Sequence, residues 1–358
     1  MFYEKDDLSD LSDLGLKDED LDKILDENRL KIRIIGVGGA GSNTINKMYE
    51  KKLRSDVAEI MTLAVNTDAV HLKEIRADKR FVIGKALSKG RGAGADPSKG
   101  EQAARESINE IDKAVEGTKI AIIVAGMGGG TGTGAAPFIA SRSKKAGALA
   151  IGICSWPLKG EGKIREQNAR MGLTNFVRAA DSVILFQNDE IVKLVPNERV
   201  DAALAFADSI MMQAIEGIID SVTRTTQVNT EMSDLEKVMS KKGIGTFGVG
   251  VSDSPPGQRV QEAFEQAMNS PFSNLKMDEA KAMLISITGG EDLKMNEQTE
   301  AMELARQRIG RDAIIIPRLG TDKDLTGKIK ILIFATGIPS GFDDSQQGDS
   351  GFSVNSIE

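Results

Sequence analysis

Between Gly126 and Pro137 the chain runs GMGGGTGTGAAP, with five glycines and two threonines in the seven residues Gly128–Gly134. A strand-forming run, Lys119–Ala125, precedes it and a helix-forming run, Gly132–Lys145, follows. Glycine loses more backbone freedom on ordering than any other residue, so this density marks a loop whose backbone must approach something closely. Backbone amides of Gly128, Gly129, Gly130, Thr131, Gly132 and Thr133 at a helix N-terminus can wrap a di- or triphosphate, with the threonine hydroxyls as further donors. A second loop of the same kind, IIGVGGAGSN, sets Gly36, Gly38, Gly39 and Gly41 after the strand-forming run Lys31–Val37 and before a helix-forming run from Ala40 to Leu53. It matches G-x-G-x-x-G, the dinucleotide-binding fingerprint, and it lacks the lysine and Ser/Thr of a P-loop. A dinucleotide needs one such loop for one pyrophosphate, so two suggest a longer phosphate chain.

The periodicity around these loops gives the fold class. Strand-forming runs at Lys31–Val37, Glu59–Val65, Arg80–Ile83, Lys119–Ala125, Ala148–Cys154 and Ser182–Phe186 alternate with helix-forming runs, which predicts an α/β architecture with a doubly wound parallel sheet. Asp96-Pro97 is a helix start, with Asp as cap and Pro at the first position, and the helix is predicted to run to Val115. Val200–Thr223 is apolar on nearly every face, which predicts a long buried helix acting as a strut between two domains. Beyond it, runs at Thr246–Val251, Lys281–Thr288, Ala313–Ile316 and Lys328–Thr336, with helices near Gln258–Met268 and Asn296–Arg308, predict a second, smaller α/β domain. The predicted division is an acidic arm over 1–30, a nucleotide domain over 31–199, the central helix over 200–223, the second domain over 224–338 and a disordered tail over 339–358.

Composition excludes several classes. The net charge of −7 resides in residues 1–30, which hold 11 acidic and 4 basic residues; the remainder balances at 42 of each sign. The arm carries Leu21, Ile24 and Leu25 at helical spacing, which predicts a short amphipathic helix. No basic stripe offers itself to nucleic acid, and no run is long and apolar enough to insert in a membrane. The N-terminus does not resemble a signal peptide, and a single cysteine, Cys154, fits a reducing, cytoplasmic compartment. Cys154 sits in an apolar run and is expected to be a buried small hydrophobe. The one histidine, His71, is distant from it in sequence and is expected to be structural.

GGGTGTG after a strand resembles the signature of the tubulin/FtsZ superfamily, in its FtsZ spelling, and further motifs of that family follow its order from about Lys31 to Gly337. NTDA, Asn66 to Ala69, resembles the loop after the second strand, with Asn66 and Asp68 toward the nucleotide. GAGADP, with Ala93, Gly94 and Ala95, resembles the loop over the terminal phosphate, and Asp96 stands where Asn is usual. PLKGEGKIR resembles the sugar loop, which implies ribose and phosphate contacts for Glu161 and Arg165. In the first loop the resemblance implies contacts from Gly38, Gly39, Ala40, Ser42 and Asn43. Guanine offers N1–H and N2 donors beside the O6 acceptor, which a carboxylate and an amide together satisfy. The resemblance gives those roles to Asp208 and Asn188. A carboxylate inside an apolar helix is costly without a partner, which supports a functional Asp208. The base-stacking position one turn before it is Leu204, with Phe206 two residues off phase.

The resemblance also implies what the chain does. It implies GTP binding and hydrolysis to GDP and phosphate, with Mg2+, by a self-assembling protein of cell division. The catalytic loop N-x-D-x-x-D, here Asn229, Glu231 and Asp234 with Glu in the first acidic place, acts on the nucleotide of the next subunit in a head-to-tail homopolymer. Membrane-anchoring and division-regulating partners at the division site are implied as well, although the acidic, polar tail GFDDSQQGDSGFSVNSIE does not match the family's anchor peptide. Two alternatives stand beside this reading: a GTP-binding filament scaffold with weak hydrolysis, and a Rossmann-type nicotinamide-dependent oxidoreductase.

Overall fold

The computed structural model describes residues 29–53, 55–223, 231–269, 272 and 275–339. The helix expected in the acidic arm, Asn229 of the catalytic loop and the tail from Gly341 lie outside the described residues.

Ten strands form one sheet: β1 (Leu30–Val37), β2 (Ala58–Asn66), β3 (Lys79–Val82), β4 (Ile120–Gly126), β5 (Leu149–Trp156), β6 (Ser182–Gln187), β7 (Ile244–Ser252), β8 (Ala282–Gly289), β9 (Ile314–Thr321) and β10 (Ile329–Ile338). Their order is β3-β2-β1-β4-β5-β6-β7-β10-β8-β9. The first six pair in parallel, as the strand–helix alternation requires. The chain winds outward through β2 and β3 on one side of β1, then returns to lay β4, β5 and β6 on the other. That reversal leaves a crevice beyond the carboxyl ends of β1 and β4, the topological switch point where α/β sheets take ligands. Both glycine loops emerge there.

Three features differ from the sequence-based expectation. The last four strands are mixed, because β10 pairs antiparallel with β7 and with β8 while only β8 and β9 are parallel. The two halves of the sheet are continuous through a narrow seam, Val183 opposite Ile244 and Ile184 opposite Gly245. The helix expected from Asp96 to Val115 is broken at Ser107 into Pro97–Glu106 and Ile108–Val115, and the Ser107 hydroxyl accepts the Gly84 N–H instead of continuing a regular turn.

The helix Val200–Thr223 lies against the sheet, as its apolar composition predicts. Ile210, Ala214, Ile215 and Ile218 are buried with Phe186, Phe247 and Phe334 in one apolar cluster. Burying each such branched or aromatic side chain contributes roughly 1.5–3 kcal/mol. Gly217 lets the Phe334 ring press on the helix, since a Cβ there would lie 3.1 Å from the ring edge. This helix corrects the expectation that no run is long and apolar enough for a membrane: by length and composition it is, and half of its most apolar stretch is buried in the folded body.

Candidate nucleotide site

The two glycine loops pack against each other at the switch point. Gly38, at φ +73°, brings a would-be Cβ within 2.8 Å of the Gly132 N–H, and a Cβ on Gly41 would lie 2.2 Å from the Val124 carbonyl oxygen. These glycines are required by packing. Gly39 and Gly129 are not: a Cβ on either would meet nothing within 4 Å, and neither has positive φ. Their bareness faces open space, which is what a backbone cradle for a ligand needs.

Capping sharpens the picture. Asp68 caps the helix Ala69–Glu74, accepting the Val70 and His71 N–H at 2.9 and 3.1 Å. Asp96 caps Pro97–Glu106, accepting Ser98 and Lys99, as the Asp-Pro start predicts. The helices Gly38–Glu50 and Thr131–Lys145, which follow the glycine loops, have no side-chain cap. Their leading N–H groups lack intrahelical partners and carry the positive end of the helix dipole, so both offer an anion a seat.

Three further segments close around this cradle. The loop Gly92–Asp96 has Gly92, Gly94 and Ala95 at positive φ, with Ala95 at +59°, a conformation non-glycine residues seldom adopt. It rests on the second glycine loop, because a Cβ on Gly130 would lie 2.8 Å from the Ala93 Cβ and 2.9 Å from the Asp96 N–H. Thr67 and Thr131 join the NTDA loop to the second glycine loop through a hydroxyl pair at 2.6 Å. Thr133 Oγ1 accepts the Gly128 N–H at 2.9 Å, so this threonine braces the loop from within while Thr131 ties it to its neighbour. Asn168 was not legible in the sequence. Its Nδ2 donates to the Ala95 and Gly128 carbonyls at 3.1 and 3.4 Å, tying the helix Lys163–Ala179 to two loops at once. In the first loop Gly39, Ala40 and Asn43 are exposed, whereas Ser42 is fully buried with its hydroxyl unpartnered.

The sugar loop lies against the same cradle. Glu161 and Arg165 form an ion pair one helical turn apart, and Glu161 also accepts the Leu158 N–H at 2.9 Å. The Arg165 carbonyl approaches a would-be Cβ on Gly128 to 2.9 Å, so the arginine backbone abuts the second glycine loop. Asn188 opens a short helix at the end of β6, half-buried; its neighbour Asp189 accepts the Lys159 N–H. Leu204 stands 43% exposed one turn before Asp208 on the central helix, an apolar platform beside a carboxylate. Phe206 packs into the core instead. Lys47, unforeseen from sequence, donates to Asp208 Oδ2 at 2.6 Å. It is one turn beyond Asn43 on the helix that follows the first loop, and that spacing was the available signal. Cys154, fully buried in β5, is a core residue as expected, with its thiol pushed far up by desolvation.

Comparison with known proteins follows these features. Residues 31–196 match the Tubulin/FtsZ family, GTPase domain, and residues 243–339 match the FtsZ family, C-terminal domain. A curated relative, cell division protein FtsZ 1 of Thermococcus kodakarensis, is 39% identical over 335 residues, 94% of this chain and 88% of the relative. The chain belongs to the FtsZ family. Its counterpart in Methanocaldococcus jannaschii is 35% identical over 94% of this chain and 91% of that protein. The solved structure described as an empty FtsZ dimer from M. jannaschii superposes with a TM-score of 0.82, covering 94% of this chain and 99% of that one at 35% identity. The fold is thus the FtsZ/tubulin fold, and the chain is a cell-division cytoskeletal GTPase. FtsZ membership also accounts for the second glycine loop, which the nicotinamide-dependent alternative leaves unexplained.

The helix Met232–Met239, which carries one of the two described acidic residues expected to be catalytic and directly follows the other, packs mainly on β8, β9 and β10. Glu231 precedes the helix Met232–Met239, its side chain exposed and making no cap hydrogen bond. Asp234 lies in that helix's first turn and accepts from Lys237 Nζ at 2.9 Å. The hydrogen bond from Lys237 holds its carboxyl below the usual aspartate range, so it stays ionised near neutrality. Thr336 Oγ1, from β10, donates to the Val238 carbonyl at 2.6 Å and fixes this helix to the second half of the sheet.

Proposed function

We propose that the chain binds GTP with its triphosphate on the two glycine loops and hydrolyses it to GDP and phosphate at a site completed by a second copy. Gly38–Asn43 and Gly128–Thr133 supply backbone N–H groups, Ala93–Ala95 cover the terminal phosphate, and Asn66 and Asp68 order the wall between them. Glu161 and Arg165 meet the ribose and phosphates. Asn188 and Asp208 take the two edges of guanine, with Leu204 as an apolar surface beneath it. The uncapped helices and the open space at Gly39 and Gly129 fit a polyphosphate. Among the described residues no group of three His, Cys, Asp or Glu side chains converges, so Mg2+ would be held chiefly by phosphate oxygens and water.

The observation carrying the shared site is a distance. Asp208 lies in the first half of the central helix, whose 15 residues beyond it, 209 to 223, span about 22 Å, and Glu231 and Asp234 follow in the chain after its end. Acids so placed serve a neighbour's nucleotide better than their own. A contact that sets this end of one copy on the pocket of the next is head-to-tail and repeats as an open filament. Asn229, Glu231 and Asp234 then orient a water or a magnesium-bound water at the terminal phosphate. Membership in a cell-division family and the dimeric assembly described for the M. jannaschii protein support this reading. A cytoplasmic place at the division site and partners that anchor the filament to the membrane complete the proposal.

Titration with GTP, ATP and NADH, with phosphate release measured on the same samples, tests it. GTP is expected to bind alone and to be hydrolysed. Asp234→Ala is expected to bind GTP as the parent does, to release phosphate slowly and to form long-lived filaments. Parental turnover in Asp234→Ala would return this loop to a plain helix start.

A further inference from the structure

The one histidine in the sequence lies between two of the asparagines assigned to the nucleotide. His71 Nε2 is 3.1 Å from Asn43 Oδ1, at the first glycine loop, and its Nδ1 is 3.2 Å from Asn66 Nδ2, in the NTDA loop. The direction of each bond follows from its neighbour. Asn66 Oδ1 accepts the Asp68 backbone N–H at 3.3 Å, so the Asn66 Nδ2 group, a donor, must face the ring. Nδ1 is therefore the acceptor, Nε2 carries the proton, and that N–H donates to Asn43 Oδ1. With its oxygen so occupied, Asn43, an exposed residue, keeps its NH2 group, two donors, for another acceptor. The opposite tautomer would set N–H against N–H at Asn66, and so would the imidazolium.

We infer that neutral His71 is a positioning residue for nucleotide binding: it fixes the amide orientation of Asn43 and Asn66 so that Asn43 presents donors to the nucleotide's anionic oxygens. The inference rests on the reading of this crevice as the GTP site. On and beside the two elements that carry the ring and its Asn43 partner, the charged neighbours include Asp68, whose carboxylate accepts the backbone N–H of His71, Lys47, paired with Asp208, and Arg76, paired with Glu50.

Three proteins test it: the parent, His71→Ala and His71→Gln. Glutamine keeps one acceptor and one donor at the end of its side chain and does not titrate. GTP affinity is measured for each by equilibrium titration, with circular dichroism as the check on folding. His71→Ala is expected to bind roughly 10–150-fold more weakly than the parent, the loss of one oriented hydrogen bond to a charged group, and His71→Gln to recover most of that loss. Parental affinity in folded His71→Ala, or failure of folded His71→Gln to recover binding, would overturn the inference. If the parent itself binds no GTP, the reading of the site falls instead, so the two failures are distinguishable.

Discussion

Gly129→Ala isolates the phosphate cradle from the fold. A Cβ at this position meets no protein atom within 4 Å and the backbone is not in the left-handed region, so alanine fits without strain. Its effect on stability is therefore confined to the unfolded chain and should be neutral to favourable by about 0.4–1 kcal/mol. On the proposed reading, a methyl group at Gly129 enters the space a phosphate takes and displaces it from the surrounding amides. A hydrogen bond to a charged group contributes about 1.5–3 kcal/mol, so losing one weakens GTP and GDP alike by roughly 10–150-fold. Gly130→Ala is the contrast: its Cβ would lie 2.8 Å from the Ala93 Cβ and 2.9 Å from the Asp96 N–H, so it must move a neighbouring loop. Isothermal titration with GTP and GDP, paired with a thermal melt, separates the two effects. Gly129→Ala with parental affinity and an unchanged melt would refute the cradle; a large fall in Tm would refute the claim that this glycine is free of packing duties.

Two other perturbations bear on the account. Asp208→Ala removes the acceptor for guanine N1–H and N2, and it should cost about 1–3 kcal/mol of GTP-over-ATP preference in a competition assay; parental selectivity would mean the base lies elsewhere. In the second half of the sheet, Arg259 and Glu297 are each 1% exposed and doubly hydrogen-bonded, with Asp292 as a second acidic partner. The Arg259 hydrogen bonds hold the Glu297 carboxyl below the usual range. A depressed folded value means the stabilisation is present above the unfolded value of about 4.3 and is lost as pH falls through the folded one. Glu297→Gln should cost about 3–5 kcal/mol at pH 7 and flatten the stability loss on acidification, measured by denaturant titration from pH 7 to well below the unfolded value; an unchanged acid slope would contradict this.

The sequence carried the fold to the extent that its signals were local. Glycine loops, the Asp96-Pro97 start and the apolar run Val200–Thr223 each state a backbone requirement within a few residues, and each appears as predicted. Strand direction in the last four strands was not legible, because pairing of β10 between β7 and β8 depends on contacts remote in the chain. In the site, glycines that look alike in sequence divide into two kinds. Gly41 and Gly132 are demanded by neighbouring backbone, whereas Gly39 and Gly129 border open space. Lys47 and Asn168 were not legible because each meets a partner on another element, Asp208 and the Ala95 carbonyl. His71, expected to be structural, is hydrogen-bonded between Asn43 and Asn66, a placement its sequence position alone does not reveal.

The central claim is that the hydrolytic site is shared between copies. Phosphate release per molecule, measured from well below to well above the concentration at which the protein assembles, tests it most directly. The account predicts negligible specific activity for isolated subunits, a threshold, and a rise beyond it in step with assembly seen by light scattering. Specific activity constant across that range would contradict the account, because it would mean a complete site within one chain.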